Sequence, residues 1–535
     1  MAKASKFLKG TLLLSAAGVI VKLLGAVYRI PIVSIIGDEG MSYYQTAYPI
    51  YSLLLTVSTT GLPVAVAKMI SERVSLEDYI NADRIFKFTA GIMIFLGAAT
   101  AFSVFLFADK FSEFIKNPGV YYSLIALIPA LLVSPVLSAF RGFFQGRQNM
   151  LPTAMSQVSE QVGRVILGLF FAIILLPKGI AMAAGGASLG GSLGAVFGIL
   201  TMIFYYLRRK PQTDKEILSS KHKRIFSNRE IFRTLILIAV PITLGAAILP
   251  LTDSVDAMIF PSRLGACGFT LEEANKLHGN LKGMAQTLIN FPLMFLYAVS
   301  VSLVPSISET VALEDDEKKK TLISSGFRLS SVFSFPCAAG LCALAFPIIH
   351  LLYAGVSISS QRSAGSLLSV SAFQLIFLGV IQTSAAILQG IGHPIVPAFN
   401  MLIGAAIKII LSYLLMGIRE INIYGMSISS LVCFFVVALL DLRSVEKFSG
   451  VRVEKKEIFI KPLLASSIMG IAVFLINGLL NQVSSSRFMV FFAVIFGAIF
   501  YFAVLLLLKI FREEDFLILP KGEKVVERLK KAGLM

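Results

Sequence analysis

Residues 139–168 read AFRGFFQGRQNMLPTAMSQVSEQVGRVILG, and from residue 385 the chain reads AAILQGIGHPIVPAFNMLIGAAIKIILS. Gln145-Gly146 aligns with Gln389-Gly390, and at the same offset of 244 Arg164 aligns with Lys408. A second pair, YPIYSLLLTVSTTGLPVAVA from residue 48 and FPLMFLYAVSVSLVPSIS from residue 291, fits with one residue of slippage. What repeats is a set of apolar, helix-length blocks. The chain therefore reads as two related halves.

Working outward, the composition says what solvent those helices face. Of the 535 residues, 56% are hydrophobic and only 15% are charged, against roughly a quarter charged in a soluble protein. The apolar residues come in blocks of about 20, long enough to cross about 30 Å of hydrocarbon. Fourteen such spans lie near 11–36, 43–67, 88–108, 119–140, 151–176, 182–207, 234–260, 284–308, 329–353, 367–388, 395–417, 421–442, 462–480 and 488–508. The first of them, after MAKASKFLKG, is too long for a cleaved leader and reads as a span.

The sequence thus predicts an all-α polytopic membrane protein with two six-helix lobes around a central cavity, plus two C-terminal helices. The expected boundaries are an N-terminal lobe over 1–210, a basic linker over 211–233 and a C-terminal lobe over 234–442. A basic loop over 443–461, two extra spans over 462–510 and a basic tail over 511–535 follow. Each repeat holds an even number of spans, so the halves are parallel repeats about an axis along the membrane normal, as in some transporters. In span 6, GGASLGGSLGAVFG sets Gly186, Gly190, Gly194 and Gly198 four apart, a spacing that lets helices approach closely.

Most of the 48 Lys and Arg residues fall at the amino terminus, in the even-numbered connections and in the tail. By the positive-inside rule both termini are then cytoplasmic. The net charge of +17 is mainly topological, and no nucleic-acid recognition module is visible. The tail KGEKVVERLKKAGLM reads either as an interfacial amphipathic helix or as a solvated basic tail. Cys267, Cys337, Cys342 and Cys433 are scattered without metal-ligand spacing, and no metal is expected. No GxxxxGK[ST] loop, HExxH motif or Ser-His-Asp set is present. Transport fits this chain, and catalysis does not.

The chemistry lies in the charges inside spans: Lys22, Arg29, Arg164 and Lys408. A charge at mid-bilayer costs about 2.5–3.5 kcal/mol on insertion scales, so each needs a partner or water. Lys22 and Arg29 are seven residues apart and share a face about 10 Å long, with Pro31 expected to break the helix just beyond. Glu160 stands four residues before Arg164 and offers an intrahelical pair. Lys408 has no carboxylate within a turn. Lys68, at the end of span 2, can snorkel. A cationic stripe facing water suits an anion such as a phosphate or pyrophosphate. Asp253 and Asp256 near the outer end of span 7 can pair with an arginine or take a coupling cation; Glu309 stands at the inner end of span 8.

The run from Lys9 to Glu72, KGTLLLSAAGVIVKLLGAVYRIPIVSIIGDEGMSYYQTAYPIYSLLLTVSTTGLPVAVAKMISE, together with RGFFQGRQNMLPTAMSQVSEQ, resembles the stage V sporulation protein B-like polysaccharide transporters. That family is grouped with MurJ-type lipid II flippases in the multidrug/oligosaccharidyl-lipid/polysaccharide exporter superfamily. The resemblance implies a flippase for an undecaprenyl-pyrophosphate-linked cell-wall precursor, lipid II or similar, in the bacterial cytoplasmic membrane. A flippase for another lipid-linked polysaccharide, of capsule or teichoic acid type, and a multidrug extruder are the alternatives. It further implies that Lys22, Arg29 and Lys68 hold the pyrophosphate, with Arg164 and Lys408 added as candidates by their charges inside spans, while spans 13 and 14 cradle the lipid tail. Some relatives bind a cation between spans 7 and 11, where Asp253, Asp256 and Asn400 are the candidates here. A coupling monovalent cation is the one cofactor left open, and cell-wall synthesis enzymes are the candidate protein partners.

Overall fold

The computed structural model describes residues 2–221, 225–483, 486–508 and 510, and among these it contains helices and no strand. The amphipathic segment expected in the tail lies outside the described residues. The helices are α1 (Ala2–Thr59), α2 (Gly61–Ser75), α3 (Tyr79–Phe114), α4 (Val120–Ala126), α5 (Ile128–Gly146), α6 (Leu151–Leu175), α7 (Ile180–Leu218) and α8 (Asn228–Ala266). They continue with α9 (Leu271–His278), α10 (Gln286–Ala312), α11 (Asp316–Ala343), α12 (Ala345–Leu352), α13 (Ile358–Ser371), α14 (Gln374–Gly390), α15 (Ile395–Leu415), α16 (Tyr424–Ser449), α17 (Lys461–Val483) and α18 (Met489–Leu507).

Eleven of these stretches are long and apolar enough to cross a membrane, and the bent pairs α11–α12 (78°) and α13–α14 (46°) raise the number to 13. The first stretch, Ala16–Ser75, is 60 residues long, well beyond the roughly 20 that one crossing needs, and it is interrupted at Gly37. Counted as two passes, it accounts for all fourteen spans. Lipid-facing side chains are as expected of such a protein: on α3, Phe95, Phe102 and Phe105 are all more than half exposed. The chain is a multi-pass membrane protein.

The break in α1 is where the structure departs from expectation. The helix runs straight through Pro31, and the non-helical residue is Gly37, at φ 70° and ψ −174°. Only glycine adopts that backbone without strain, whereas a proline removes one hydrogen bond and can be carried as a bend. Asp38 and Glu39 then open the next segment, with Asp38 Oδ1 accepting from Glu39 N at 2.9 Å. Acidic groups there complement the helix dipole.

The chain divides into two compact units, Met1–Ser262 and Arg263–Met535. In the first, α6 and α7 lie together along the glycine stripe. A side chain at Gly190 would enter the van der Waals shell of Gly168 Cα, one at Gly186 would lie 2.6 Å from Phe171 O, and one at Gly194 would meet Glu160 O. The stripe is a packing surface. Such closeness matters in a bilayer, where contact area replaces the hydrophobic drive.

The first unit also takes in most of α8, which the sequence assigns to the second lobe. Ile231, Leu235 and Ala239 of α8 join the buried cluster of Leu62, Val66 and Ile70 from α2 and Ile85 and Phe86 from α3. Gly61 is the point of closest approach, since a Cβ there would overlap Ala239 O. The segment before α8 is strapped to the α2–α3 turn: Lys221 N donates to Glu77 O at 3.2 Å, and Phe226 N donates to Asn81 Oδ1 at 2.9 Å. The Asn81 side-chain amide is in turn held by Asp78, which also caps α3.

In the second unit a capping box at Thr270 and Glu273 starts α9, and a π-turn over Gly279–Ala285 leads into α10. Gly390, at the end of α14, approaches α10: a Cβ would lie 2.9 Å from Ile307 Cβ. Gly146, its counterpart at the end of α5, meets α2 likewise, 2.8 Å from Ala67 O. The repeated Gln-Gly motif thus serves one purpose twice, a close helix contact. Helices α17 and α18 form their own cluster of Met469, Val473, Val490 and Ala493, joined to α11 by the Tyr501 hydroxyl donating to Val332 O at 3.0 Å.

Candidate functional site

Among the described residues of the first unit, one grouping of ionised side chains is built on Glu160 of α6. Arg141, one helix away on α5, donates from Nη2 to Glu160 Oε2 at 2.8 Å and from Nε to Ser156 Oγ at 3.0 Å. Arg164, on the same helix as Glu160, stands 3.6 Å from its other oxygen. Two guanidinium groups therefore share one carboxylate. All three side chains are about 80% buried, so the surplus positive charge is poorly screened by water. Arg164 Nε is buried without a partner among the described residues.

The second half of α1 supplies the other wall. Tyr44, Tyr48 and Tyr51 follow at helical spacing, with ring centroids 5.9 Å apart for both neighbouring pairs. The Tyr48 hydroxyl lies against Arg164. Arg29 also acts electrostatically on Tyr28, Tyr44 and Tyr48. Tyr28 itself is 2% exposed and donates its hydroxyl to Ala187 O at 3.2 Å. Between Lys22 and Arg29, Gly25 brings α1 against α6: a Cβ there would lie 3.2 Å from Gln161 Nε2.

Of the expected anion-binding cations, then, Arg29 and Arg164 both lie in the first unit and both act electrostatically on Tyr28, Tyr44 and Tyr48. Lys22 is exposed on α1, and Lys68 is exposed on α2. Lys408 is buried on α15 of the second unit, at 5% exposure. The ordinary pairing foreseen for Arg164 exists, but Arg141 holds Glu160 at the shorter distance. Of the acids, Asp253 is half-buried and Asp256 fully buried on α8, while Glu309 is exposed and pairs with Lys318 at 3.6 Å. Asn400 donates its amide to Asp441 Oδ1 at 2.8 Å and to Ser444 Oγ at 3.3 Å.

Sequence reasoning missed Arg141, the tyrosine stripe and Asp441. Arg141 stands just past the end of a span and reads as a border charge, and its partner is 19 residues away. The stripe at 44, 48 and 51 was readable as a helical face, but tyrosines on an apolar helix carry no signal of what they face.

The sequence profile of the family described as "Polysaccharide biosynthesis protein" matches residues 7–311, more than half of the chain. The chain belongs to that family. A second profile, MatE, matches residues 282–414. Stage V sporulation protein B of Bacillus subtilis (strain 168) is 30% identical over 455 residues, which cover 84% of this chain and 86% of that one. Lipid II flippase MurJ of the same organism is 28% identical over 492 residues, 89% of each chain. Among solved structures, lipid II flippase MurJ in an inward closed conformation matches with a TM-score of 0.67 over 92% of this chain and 98% of that one, at 15% identity. That likeness shows the fold. For a polysaccharide biosynthesis family protein of this fold, the cluster on Glu160 offers charge and hydrogen-bond donors.

Proposed function

We propose that this chain is a flippase that moves an undecaprenyl-pyrophosphate-linked cell-wall precursor, lipid II or a close analogue, from the inner to the outer leaflet of the bacterial cytoplasmic membrane. Both termini lie in the cytoplasm on this reading, and the lobes work by alternating access. No bond is made or broken. The reading rests on one observation above the others: Arg141 and Arg164 share a single carboxylate inside the first unit. The surplus positive charge, extended by Arg29, attracts a pyrophosphate, and the arginine fork suits its oxygens. A net positive interior disfavours cationic drugs, which speaks against a multidrug extruder.

The substrate assignment takes further support from the flippase among the relatives of similar length. A different lipid-linked polysaccharide is the second reading, favoured by the family's description, and a role in spore-cortex synthesis by the sporulation relative. Energy comes from a gradient, the membrane potential or consumption of the product.

The test is complementation of a bacterium depleted of its own lipid II flippase, with this protein and its Arg29→Ala and Arg164→Ala variants at matched membrane levels. Rescue by the parent and not by the variants is the expected result. Rescue by all three keeps the substrate and removes the role of the arginines. A well-inserted parent that fails to rescue transfers the proposal to another lipid-linked glycan.

A further inference from the structure

We propose that Asp441 is a proton-binding site of the second unit, enclosed between α15 and α16. Asp441 is 0% exposed, two-thirds of the way along α16. One oxygen, Oδ1, accepts the Asn400 amide at 2.8 Å; the other, Oδ2, is buried with no partner among the described residues. The Ser444 hydroxyl beside it is committed to Leu440 O at 2.8 Å. A carboxylate needs donors on both oxygens or a neighbouring cation, and a buried one that lacks them takes up a proton instead.

Among the described residues no such cation pairs with it. Helix α16 packs against α13, α14 and α15. Helix α14 carries no titratable group; α13 carries Arg362, and α15 carries Lys408 and Tyr413. On α16 itself the titratable groups are Tyr424, Cys433, Arg443, Glu446 and Lys447. Arg443 and Lys447 are exposed, Lys447 lies over the Phe448 ring, and Glu446 accepts from Val453 N. Among the described residues none of these groups pairs with Asp441. A metal cation finds too few oxygens here, because Asn400 presents its amide nitrogen and the serine oxygen is engaged. The proton is the occupant that fits.

A carboxyl group in water is ionised at neutral pH, so it is the enclosure between α15 and α16 that keeps the proton on Asp441. The site does not depend on the flippase reading, and its test uses no lipid substrate.

Difference infrared spectroscopy on the full-length protein in nanodiscs, stepped upward in pH, reads the proton through the C=O stretch of a protonated carboxyl. The expected result is a band that bleaches as pH rises and is lost from Asp441→Asn. In Asn400→Leu its midpoint moves to higher pH, because the amide donation favours the ionised form. If Asp441→Asn does not fold, Asp441→Glu keeps a titrating group and displaces the band in frequency. A titration whose bands Asp441→Asn or Asp441→Glu leaves unchanged overturns the proposal. So does a band that sodium chloride removes at fixed pH, since the occupant is then a metal cation.

Discussion

The two repeats solve the same packing problem with different residues. In the first, the small positions of the α6–α7 contact are on α7, where Gly190 and Gly194 let the backbone of α6 come close. At the offset of 244 their counterparts are Phe434 and Ala438, and the small residue has moved to the other helix. It is Gly404 of α15, where a Cβ would overlap Val437 and lie 3.0 Å from Cys433 Sγ. Gly168 corresponds to Ser412, which hydrogen-bonds Ser429 across to α16 at 2.6 Å. Charge has moved in the same way. Ser156, a hydrogen-bond partner of Arg141, corresponds to Asn400, the partner of Asp441; Glu160 corresponds to Gly404 and Phe197 to Asp441. The first repeat keeps a surplus of positive charge, and the second keeps an enclosed acid. Duplication conserves which helices touch, and the residues at the contact can change places as long as one side stays small.

The harshest test of that comparison is Gly190→Leu against Phe434→Leu. In the first repeat the new side chain runs into backbone that cannot yield, at a cost of about 3 kcal/mol or more. Size-exclusion chromatography should find little monodisperse protein. Phe434→Leu keeps an apolar side chain against the cluster of Ile381, Cys433, Val437 and Ala438 and should cost about 1 kcal/mol. Equal losses would mean that the two contacts are alike after all.

Next in size is Glu160→Gln. Removing the charge that two arginines share leaves both without a counter-charge, at a cost of about 2 kcal/mol once partial exposure is allowed for. Thermal unfolding in nanodiscs should show a lower Tm, and Arg141→Ala should cost more than Arg164→Ala because its bond is shorter. The reverse order would place the main pairing on α6 alone. In the second repeat Asn400→Ala removes the donor on Asp441 and should cost about 1 kcal/mol; Ser156→Ala, which leaves Arg141 its carboxylate, should cost less.

The smallest effect belongs to the strap outside the spans. A hydrogen bond and the charge of Glu77 hold the Lys221 ammonium protonated to higher pH than usual. The sign is that of a raised folded-state value, so its contribution is present below the ordinary lysine range and is lost as pH climbs through the raised one. Both groups are open to water, so Lys221→Ala should leave the Tm unchanged within error. A measurable loss would mark the strap as a strong clamp on α8.

Much of the fold was legible because it is a matter of sums. Twenty apolar residues in a row fix a span wherever they occur, so the fourteen blocks could be counted before any contact was known. The glycine spacing at 186, 190, 194 and 198 was readable as a contact face for the same reason: period fixes face. Arg141 and Asp441 were not readable. Their partners lie on other helices, Glu160 on α6 for one and Asn400 on α15 for the other, and no local spacing links them. The break at Gly37 was obscured by Pro31, the stronger local signal, because a helix can absorb a proline but cannot continue through a left-handed residue.

By itself, the sequence determined that the chain lives in a membrane, how many times it crosses, that it is built twice over and that cations stand inside the spans. Transfer free energy accumulates residue by residue and needs no knowledge of neighbours, so composition and period suffice for these. Only the tertiary structure decided which carboxylate answers which arginine, that most of α8 packs with the first unit and that Asp441 is sealed beside a single amide. Those outcomes depend on which helix faces meet at distances of a few ångströms, where one glycine or one rotation of a helix changes the partner.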